Sequence, residues 1–138
     1  TEGNDISSGQ KRVLALLPNA YMQGHTAGVN MAGGNDVFDK AIPMNSIGFF
    51  GLHAMTAGNY SGEVYEEKTE TGIKKLFVSD GLLSGYILIG NTDRAGIYTS
   101  LVRDRVPLDS IDFEMLKKVT TLSIFPQETR RKMLGGVV

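Results

Sequence analysis

Residues 73–90 read IKKLFVSDGLLSGYILIG, two apolar runs separated by Asp80-Gly81. An Asp-Gly pair between two such runs is a strong signal for a β-hairpin, because both residues accept the positive φ values of a tight turn. The second run, residues 82–90, is apolar at most positions, which is typical of a central strand covered on both faces. The stretch therefore predicts an antiparallel strand pair in the middle of a sheet.

Two upstream segments extend this sheet. Residues 60–69 are polar and rich in Glu, and they predict a further strand with Val64 as its apolar anchor. Residues 45–58 are apolar and rich in Gly, and they predict one long, bent strand with bulges at Gly48 and Gly51. The sequence thus predicts three or four antiparallel strands.

Downstream of the sheet, the apolar period changes from 2 to 3.6, which indicates helices. The first is predicted to be capped near Asn91 and to end near Asp104, with Ile97 and Leu101 inward. A second covers residues 109–119, and a last helical turn follows Pro126. Strands followed by helices, without alternation, indicate an α+β fold.

A further helix is predicted upstream of the sheet, over residues 18–32, after a loop and a short extended run that ends at Leu17. Pro18 suits a first helical position, because its missing N–H has no helical partner there. Small residues recur on one face at spacings of three to four: Ala20, Gly24, Ala27, Gly28 and Ala32. This face predicts close packing against a partner, so Gly28→Leu in a full enzyme should cost more stability than the same change at the loop position Gly62.

Composition excludes several classes of protein. The 138 residues fit one compact domain or one domain with a short appendage, and 14 Lys and Arg against 15 Asp and Glu favour neither nucleic acid nor an anionic membrane surface. No apolar run approaches the ~18–20 residues of a membrane span, and no signal-peptide pattern is present, so we expect a cytoplasmic protein. With no Cys and only two His, His25 and His53, we predict no metal site.

Three groups of polar or aromatic residues have more than one interpretation. Glu66 and Glu67 fit an exposed acidic strand edge better than paired catalytic carboxylates, and residues 130–132 (RRK) fit either a solvated helix end or a contact for an acidic partner. Phe49 and Phe50 are adjacent, so in a strand their rings point to opposite faces and one of them must cover a helix, a partner chain or a cofactor. No residue is predicted to be catalytic.

Three motifs carry a resemblance to a known family. Residues 19–33 contain NAYMQG, then Ala27-Gly28 and a final MAG; residues 80–92 read DGLLSGYILIGNT; and residues 106–113 read VPLDSIDF. In this order they resemble the C-terminal part of NAD(P)H-dependent FAD oxidoreductases of the pyridine nucleotide–disulfide oxidoreductase superfamily, in its rubredoxin reductase, nitrite reductase and ferredoxin reductase branch. The first motif resembles the helix that follows that family's last Gly-Asp flavin motif.

The resemblance implies a division of the chain. Residues 1–41 would be the tail of an FAD-binding domain, and residues 42–138 a C-terminal interface-type α+β domain. Because the chain has no Gly-x-Gly-x-x-Gly motif and no initiator Met, we expect a C-terminal fragment of a longer enzyme. The parent would pass electrons from NAD(P)H through FAD to an acceptor, whereas this chain alone is expected to bind no cofactor and to be inactive.

The resemblance also implies cofactor-binding residues at the start of the first helix, with a backbone N–H of Leu17 or Asn19 as donor to the flavin. The candidates are Leu17, Pro18, Asn19 and Ala20, together with Phe49 and Phe50. Two other roles remain open: a module that docks a small redox acceptor protein such as rubredoxin, with a Phe at the contact and residues 130–132 steering it, or a dimerisation platform whose exposed apolar strand packs against a second copy.

Overall fold

The centre of the fold is a five-stranded antiparallel sheet, seen in a computed structural model that describes residues 2–135. In chain order the strands are β1 (Gly3–Asp5), β2 (Gln10–Arg12), β3 (Met44–Phe49), β4 (Leu52–Gly58), β5 (Glu63–Thr69), β6 (Gly72–Ser79) and β7 (Leu82–Ile89), and the helices are α1 (Leu17–Met31), α2 (Ala95–Arg103), α3 (Phe113–Lys118) and α4 (Gln127–Met133). The predicted α+β class is confirmed. The predicted domain limits 1–41 and 42–138 begin and end outside the described residues, and this division stays a prediction.

The hairpin predicted at Asp80-Gly81 is confirmed. It joins β6 to β7, and the two turn residues have φ values of 53° and 71°, the left-handed values that a two-residue hairpin turn requires. The strand order is β3-β4-β7-β6-β5, so β7 lies in the middle of the sheet as predicted. Its coverage is uneven, because Tyr86 and Leu88 are buried whereas Ile87 and Ile89 on the other face are only partly buried.

The single bent strand predicted over residues 45–58 is wrong. The chain reverses at Phe50-Gly51, where both residues have positive φ (47° and 85°), and the two halves pair as β3 and β4. Gly48 lies opposite His53 in a continuous register, so it is not a bulge. The sequence does not indicate this turn because Phe is rarely found in a left-handed conformation, which a bulky side chain disfavours by about 1–2 kcal/mol.

Residues 2–12 also differ from the expectation of a loop. β1 and β2 form a small hairpin around Asp5, which is fully buried. Its carboxylate accepts hydrogen bonds from the hydroxyls of Ser7 and Ser8 and forms an ion pair with Arg12 at 2.7 Å. The short extended run predicted over residues 13–17 is wrong, since residues 13–16 belong to no strand of the described sheets and Leu17 begins α1.

β5 is an edge strand, as its acidic sequence predicts, but its inward residue is not Val64. Tyr65 packs against the core, whereas Val64 is 52% exposed on the other face of the sheet. The carboxylates are neutralised by neighbouring lysines: Glu66 pairs with Lys68 and Lys75, and Glu67 with Lys74.

The helices after the sheet pack on one of its faces. Ile97, Tyr98, Leu101 and Val102 of α2 are all buried against β7 and β4. The helix predicted over residues 109–119 is shorter, since residues 108–110 form a separate 3-10 turn and α3 is capped by the side chain of Asp112. The last helical turn is confirmed as α4.

The opposite face of the sheet is mostly apolar along β3, β4 and β7, and it carries the charged residues Glu66, Lys68 and Lys75 towards β5. We call it the open face; its exposed and half-buried apolar members are Ile47, Phe49, Leu52, Val64, Ile73, Ile87 and Ile89. Its members on β3, the start of β4 and β5 are exposed, and those nearer the sheet centre are half-buried. The sheet therefore has one covered face and one face available for contact.

Candidate functional site

The six predicted cofactor-binding residues lie in two separate places. Leu17 to Ala20 form the first turn of α1, whereas Phe49 and Phe50 lie at the tip of the β3–β4 hairpin. α1 contacts the chain at Ile42, just before β3, and the strand then carries the chain away over Met44–Phe49, about 17 Å at ~3.4 Å per residue. The structure therefore keeps the two groups apart.

The start of α1 is a helix end with free donors. Leu17 and Asn19 lie in the first turn, so their N–H groups have no intrahelical carbonyl to bond, and Pro18 has no N–H. No side chain in the described part of the chain caps this end, and its first turn contains no acidic residue. The partial positive charge of the helix end is consequently left for an external acceptor or anion.

Asn19 fixes the position of this helix end. Its side chain is fully buried, and Nδ2 donates a hydrogen bond of 2.9 Å to the carbonyl oxygen of Ile42. Within residues 2–135 its Oδ1 is buried without a hydrogen-bond partner. An unpaired buried acceptor is unfavourable, so this atom marks a place where a donor outside the described residues is expected.

The small-residue face of α1 is left uncovered by the rest of residues 2–135. Ala20 and Ala27 are exposed, and a Cβ atom added at Gly24 or Gly28 would meet no atom within 4 Å. Gly62, which the sequence suggested as a loop position that tolerates a larger side chain, has no space for one. It has φ of 95°, and a Cβ atom there would lie 2.1 Å from the carbonyl oxygen of Val78.

The tip of the β3–β4 hairpin is aromatic and exposed. The rings of Phe49 and Phe50 meet edge to face with their centroids 4.6 Å apart, and Phe50 is 97% exposed. Phe49 points to the open face, opposite Leu52 and two residues along the same strand from Ile47. Neither ring packs into the core, so the tip is available to another molecule.

A cleft of about 590 Å³ lies towards the opposite lateral edge of the sheet, between the β5–β6 hairpin, α2 and the chain after α3. Two of its three cationic side chains already have partners: Lys74 contacts Glu67 and the carbonyl of Lys117, and Arg94 donates to the carbonyl of Thr120. With Asp93 also present, the lining has both signs of charge and indicates no particular ligand.

The remaining candidates from the sequence are peripheral. His25 and His53 are exposed, and no group of His, Cys, Asp or Glu in the described part of the chain is arranged to hold a metal ion. Residues 130–132 lie on α4, where Arg131 and Lys132 are exposed and Arg130 is partly buried. No helix among residues 2–135 is long and apolar enough to cross a membrane.

Comparisons with known proteins agree with the motifs. The chain is 36% identical over 110 residues to the NADH-dependent phenylglyoxylate dehydrogenase subunit epsilon of Aromatoleum evansii; the match covers 73% of this chain and 26% of that protein. The chain thus spans about a quarter of the length of this relative. No protein-family model matches it.

Solved structures with a similar fold are reductases. An FAD-dependent pyridine nucleotide-disulphide oxidoreductase from Desulfovibrio vulgaris matches with a TM-score of 0.63 and 16% identity, over 80% of this chain and 32% of that one. An NAD-dependent persulfide reductase from A. fulgidus matches with a TM-score of 0.65 and 17% identity, over 97% and 30%. NADH:rubredoxin oxidoreductase from Clostridium acetobutylicum matches with a TM-score of 0.53 and 19% identity, over 75% and 29%. The chain is therefore related in sequence to part of an NADH-dependent dehydrogenase subunit and has the fold of part of the FAD-dependent pyridine nucleotide–disulfide oxidoreductases, which confirms the resemblance that its motifs indicate.

Proposed function

We propose that the chain is part of a flavin-dependent NAD(P)H oxidoreductase, in which it covers one edge of the flavin and supports assembly. The observation that carries this proposal is the 36% identity to a subunit described as NADH-dependent. When bound, FAD accepts a hydride from a reduced nicotinamide and passes the electrons on to an acceptor. The acceptor is a second protein or a small molecule that this chain does not identify.

The residues present fit the edge of a flavin and not a whole dinucleotide. The pyrophosphate of FAD is usually held at a Gly-rich turn between a strand and a helix, and residues 1–138 contain no such motif. The start of α1 has what the isoalloxazine edge requires: two free N–H groups, on Leu17 and Asn19, and no competing acidic side chain. The rest of the cofactor would be held by residues outside this chain.

The proposed role of α1 is electrostatic. Negative charge develops on the pyrimidine side of the ring when a flavin is reduced, and a helix N-terminus pointing at that side stabilises the charge. Leu17 or Asn19 donates the hydrogen bond from its backbone, and the Asn19 side chain holds the turn against Ile42. The small residues Gly24 and Gly28 leave room for a flavin-binding domain to approach the helix closely.

The experiment that tests this role removes one donor without removing the helix. In the flavin-loaded protein that contains this chain, Leu17→Pro deletes an N–H at a position where proline is favoured, and Leu16 before it is already extended (φ −120°, ψ 139°) as a following proline requires. The matched control Leu17→Ala keeps the N–H and removes the same exposed side chain.

A hydrogen bond to a charged group contributes about 1.5–3 kcal/mol, which corresponds to roughly 30–60 mV for a two-electron couple. We therefore expect Leu17→Pro to lower the flavin reduction potential by that amount, and Leu17→Ala to leave it within the error of the measurement. Equal potentials for both variants would exclude a backbone donor at Leu17. Absence of flavin from the longer protein would refute the proposed function as a whole.

The chain by itself is proposed to bind no FAD at micromolar concentration and to be inactive. One or two neutral hydrogen bonds contribute ~0.5–1.5 kcal/mol each and one stacking contact a similar amount, whereas micromolar binding requires about 8 kcal/mol. FAD titration of the purified chain, with an assay of NADH oxidation by a dye acceptor, tests this. Micromolar binding or turnover above background would mean that a complete site lies within these residues.

A second candidate role, binding of another polypeptide, is favoured by the exposed aromatic tip at Phe49 and Phe50. If the partner is an acidic redox protein steered by residues 130–132, its affinity should fall with added salt. If the partner is a second copy, association should depend on concentration and be indifferent to salt.

A further inference from the structure

Within residues 2–135, α1 buries one residue, and that residue is polar. Helices on the surface of a globular protein are usually held by a stripe of apolar side chains that faces the core. In α1 the large apolar side chains of Leu17, Tyr21 and Met31 are exposed, and Asn19 is the residue that is buried. The position of α1 in the described chain therefore depends on the surroundings of Asn19 more than on an apolar stripe.

The partner of Asn19 is a fixed point of the fold. Nδ2 donates its hydrogen bond of 2.9 Å to the carbonyl oxygen of Ile42, which is 23 positions away in the sequence. Ile42 and its neighbour Ala41 are fully buried, and Ile42 belongs to the hydrophobic core. The carbonyl oxygen of Ala41 in turn accepts a hydrogen bond of 2.9 Å from the N–H of Ile6. The Asn19 side chain thus ties the first turn of α1 to a well-packed part of the fold, just before β3.

This attachment lies at the end of α1 that has the free donors. Asn19 is the third residue of the helix, after Leu17 and Pro18. Two rotatable bonds separate its backbone from its carboxamide, so a carboxamide that is hydrogen-bonded to a fixed carbonyl restricts the direction of the backbone N–H groups beside it. An N–H group stabilises a developing charge most strongly when it already points to where the charge will appear. The Asn19 side chain is therefore placed to set the direction of the donors on Leu17 and Asn19.

Stability alone does not account for an amide at this position. Oδ1 of Asn19 is buried and has no hydrogen-bond partner within residues 2–135, and an unpaired buried acceptor is unfavourable. Leucine has a similar volume and no polar atom, so it would fill the space without this penalty, but it would not bond to Ile42. In other proteins a buried polar group can fix one arrangement of the chain at some cost in stability.

We propose that Asn19 is a positioning residue for the flavin: it holds the start of α1 against Ile42, so that the backbone N–H of Leu17 or Asn19 points at the ring. This inference rests on the proposed function, in which the flavin lies at that helix start. It adds that the reduction potential of the flavin depends on Ile42, which lies outside residues 1–41. Without the bond the helix start is free to tilt, and the reduced, negatively charged flavin loses more stabilisation than the oxidised one.

Substitution of Asn19 in the flavin-loaded protein that contains this chain tests the role. Asn19→Leu removes the bond to Ile42 and nearly keeps the side-chain volume. We expect the affinity for reduced flavin to fall about tenfold relative to that for oxidised flavin, which lowers the two-electron reduction potential by about 30 mV. Asn19→Gln keeps the carboxamide but adds a methylene group, so its potential should lie between those of Asn19→Leu and the unchanged protein.

The potential is measured by equilibration with a reference dye, and it requires a protein that retains its flavin. If Asn19→Leu does not fold, a lowered potential in Asn19→Gln still supports the positioning role, and an unchanged potential in Asn19→Gln overturns it. Urea unfolding of each variant records separately how much stability the substitution removes.

Arg105→Met is the matched control for an attachment that lies away from the helix start. Nη1 of Arg105 donates a hydrogen bond of 3.2 Å to the carbonyl oxygen of Ile6, so this bond also joins the first part of the chain to a residue beyond Ala41. Arg105→Met removes the bond and keeps an apolar stem, and it should leave the reduction potential unchanged. An equal fall of the potential in Arg105→Met and Asn19→Leu would mean that loosening the fold in general lowers it, and would overturn the positioning role.

The Leu17→Pro variant separates failure of this inference from failure of the proposed function. If Leu17→Pro lowers the potential and both Asn19 variants leave it unchanged, the flavin lies at the helix start and Asn19 does not position the donors. If Leu17→Pro and both Asn19 variants all leave the potential unchanged, the proposed role of the helix start is refuted together with the inference that rests on it.

Discussion

Replacing Gly24 and Gly28 of α1 by Ala should stabilise this helix in the 138-residue chain. Both glycines lie inside the helix, neither has a positive φ, and an added Cβ atom meets no atom within 4 Å at either position. Ala is favoured over Gly in a helix interior by about 0.8–1.0 kcal/mol per residue. The two changes together should therefore raise the local unfolding free energy of α1 by about 2 kcal/mol, or roughly 30-fold in its opening equilibrium.

The assay is native-state hydrogen exchange of the α1 amides, which reports local opening even when the rest of the domain stays folded. Gly85→Ala is the contrasting variant, because its Cβ atom would lie 2.3 Å from the carbonyl oxygen of Asn59 and should destabilise the sheet by about 1–3 kcal/mol. Faster exchange of α1 in the Gly28→Ala chain would mean that this face is already covered, and would refute the account of an uncovered helix. In a longer flavoenzyme we expect the sign to reverse for Gly28→Leu, because the face would then have a partner.

Three other substitutions have measurable consequences for stability. Burial raises the pKa of Tyr86, so the stabilisation by its neutral phenol is complete below its ordinary pKa near 10 and is lost as pH rises through the higher pKa of the folded state. In urea unfolding, Tyr86→Phe should therefore lose less unfolding free energy above about pH 10 than the unchanged chain does. The hydrogen bond from Arg103 lowers the pKa of Asp104, so the stabilisation by its carboxylate is present above the ordinary pKa of 3.8 and is lost as pH falls below it. The unfolding free energy of Asp104→Asn should therefore depend less on pH in this acid range, and an acid unfolding profile identical to that of the unchanged chain would contradict this. Asp5→Ala leaves Arg12 without its 2.7 Å partner and should destabilise the β1–β2 hairpin by about 2–3 kcal/mol, measured as faster exchange of residues 3–12, with Asp5→Asn as the milder control.

The elements that the sequence predicts well are those set by neighbouring residues. Asp80-Gly81 marks a turn because these residues tolerate positive φ, and Pro18 marks a helix start because its fixed φ and missing N–H suit that position. The same reasoning does not find the turn at Phe50-Gly51, since the residue types that normally indicate a turn are absent from its first position. A left-handed Phe is tolerated because β3 and β4 pair along their whole length.

The candidate site, too, is predicted only in part by the sequence. The motif around Asn19 indicates a cofactor-binding helix start, yet only the folded chain shows that its side chain bonds to the carbonyl of Ile42 and leaves one oxygen unpaired. The sequence places Phe49 and Phe50 in one predicted cofactor site with the start of α1, because neither a family resemblance nor a residue type states how far apart two segments lie in the fold. The strand Met44–Phe49 separates them from it by its own length.

The sequence by itself determined the α+β class, the β6–β7 hairpin, the helix with its small-residue face and the family resemblance, since these depend on local backbone preferences and on motifs within short segments. Tertiary structure decided which strands lie at the sheet edges, which face remains open and which polar groups remain unpaired. These properties depend on pairings between residues far apart in the chain, such as Ala54 with Ile89 and Ile73 with Ile89. The period of two along a strand assigns side chains to alternate faces, but it does not state which face the helices will cover.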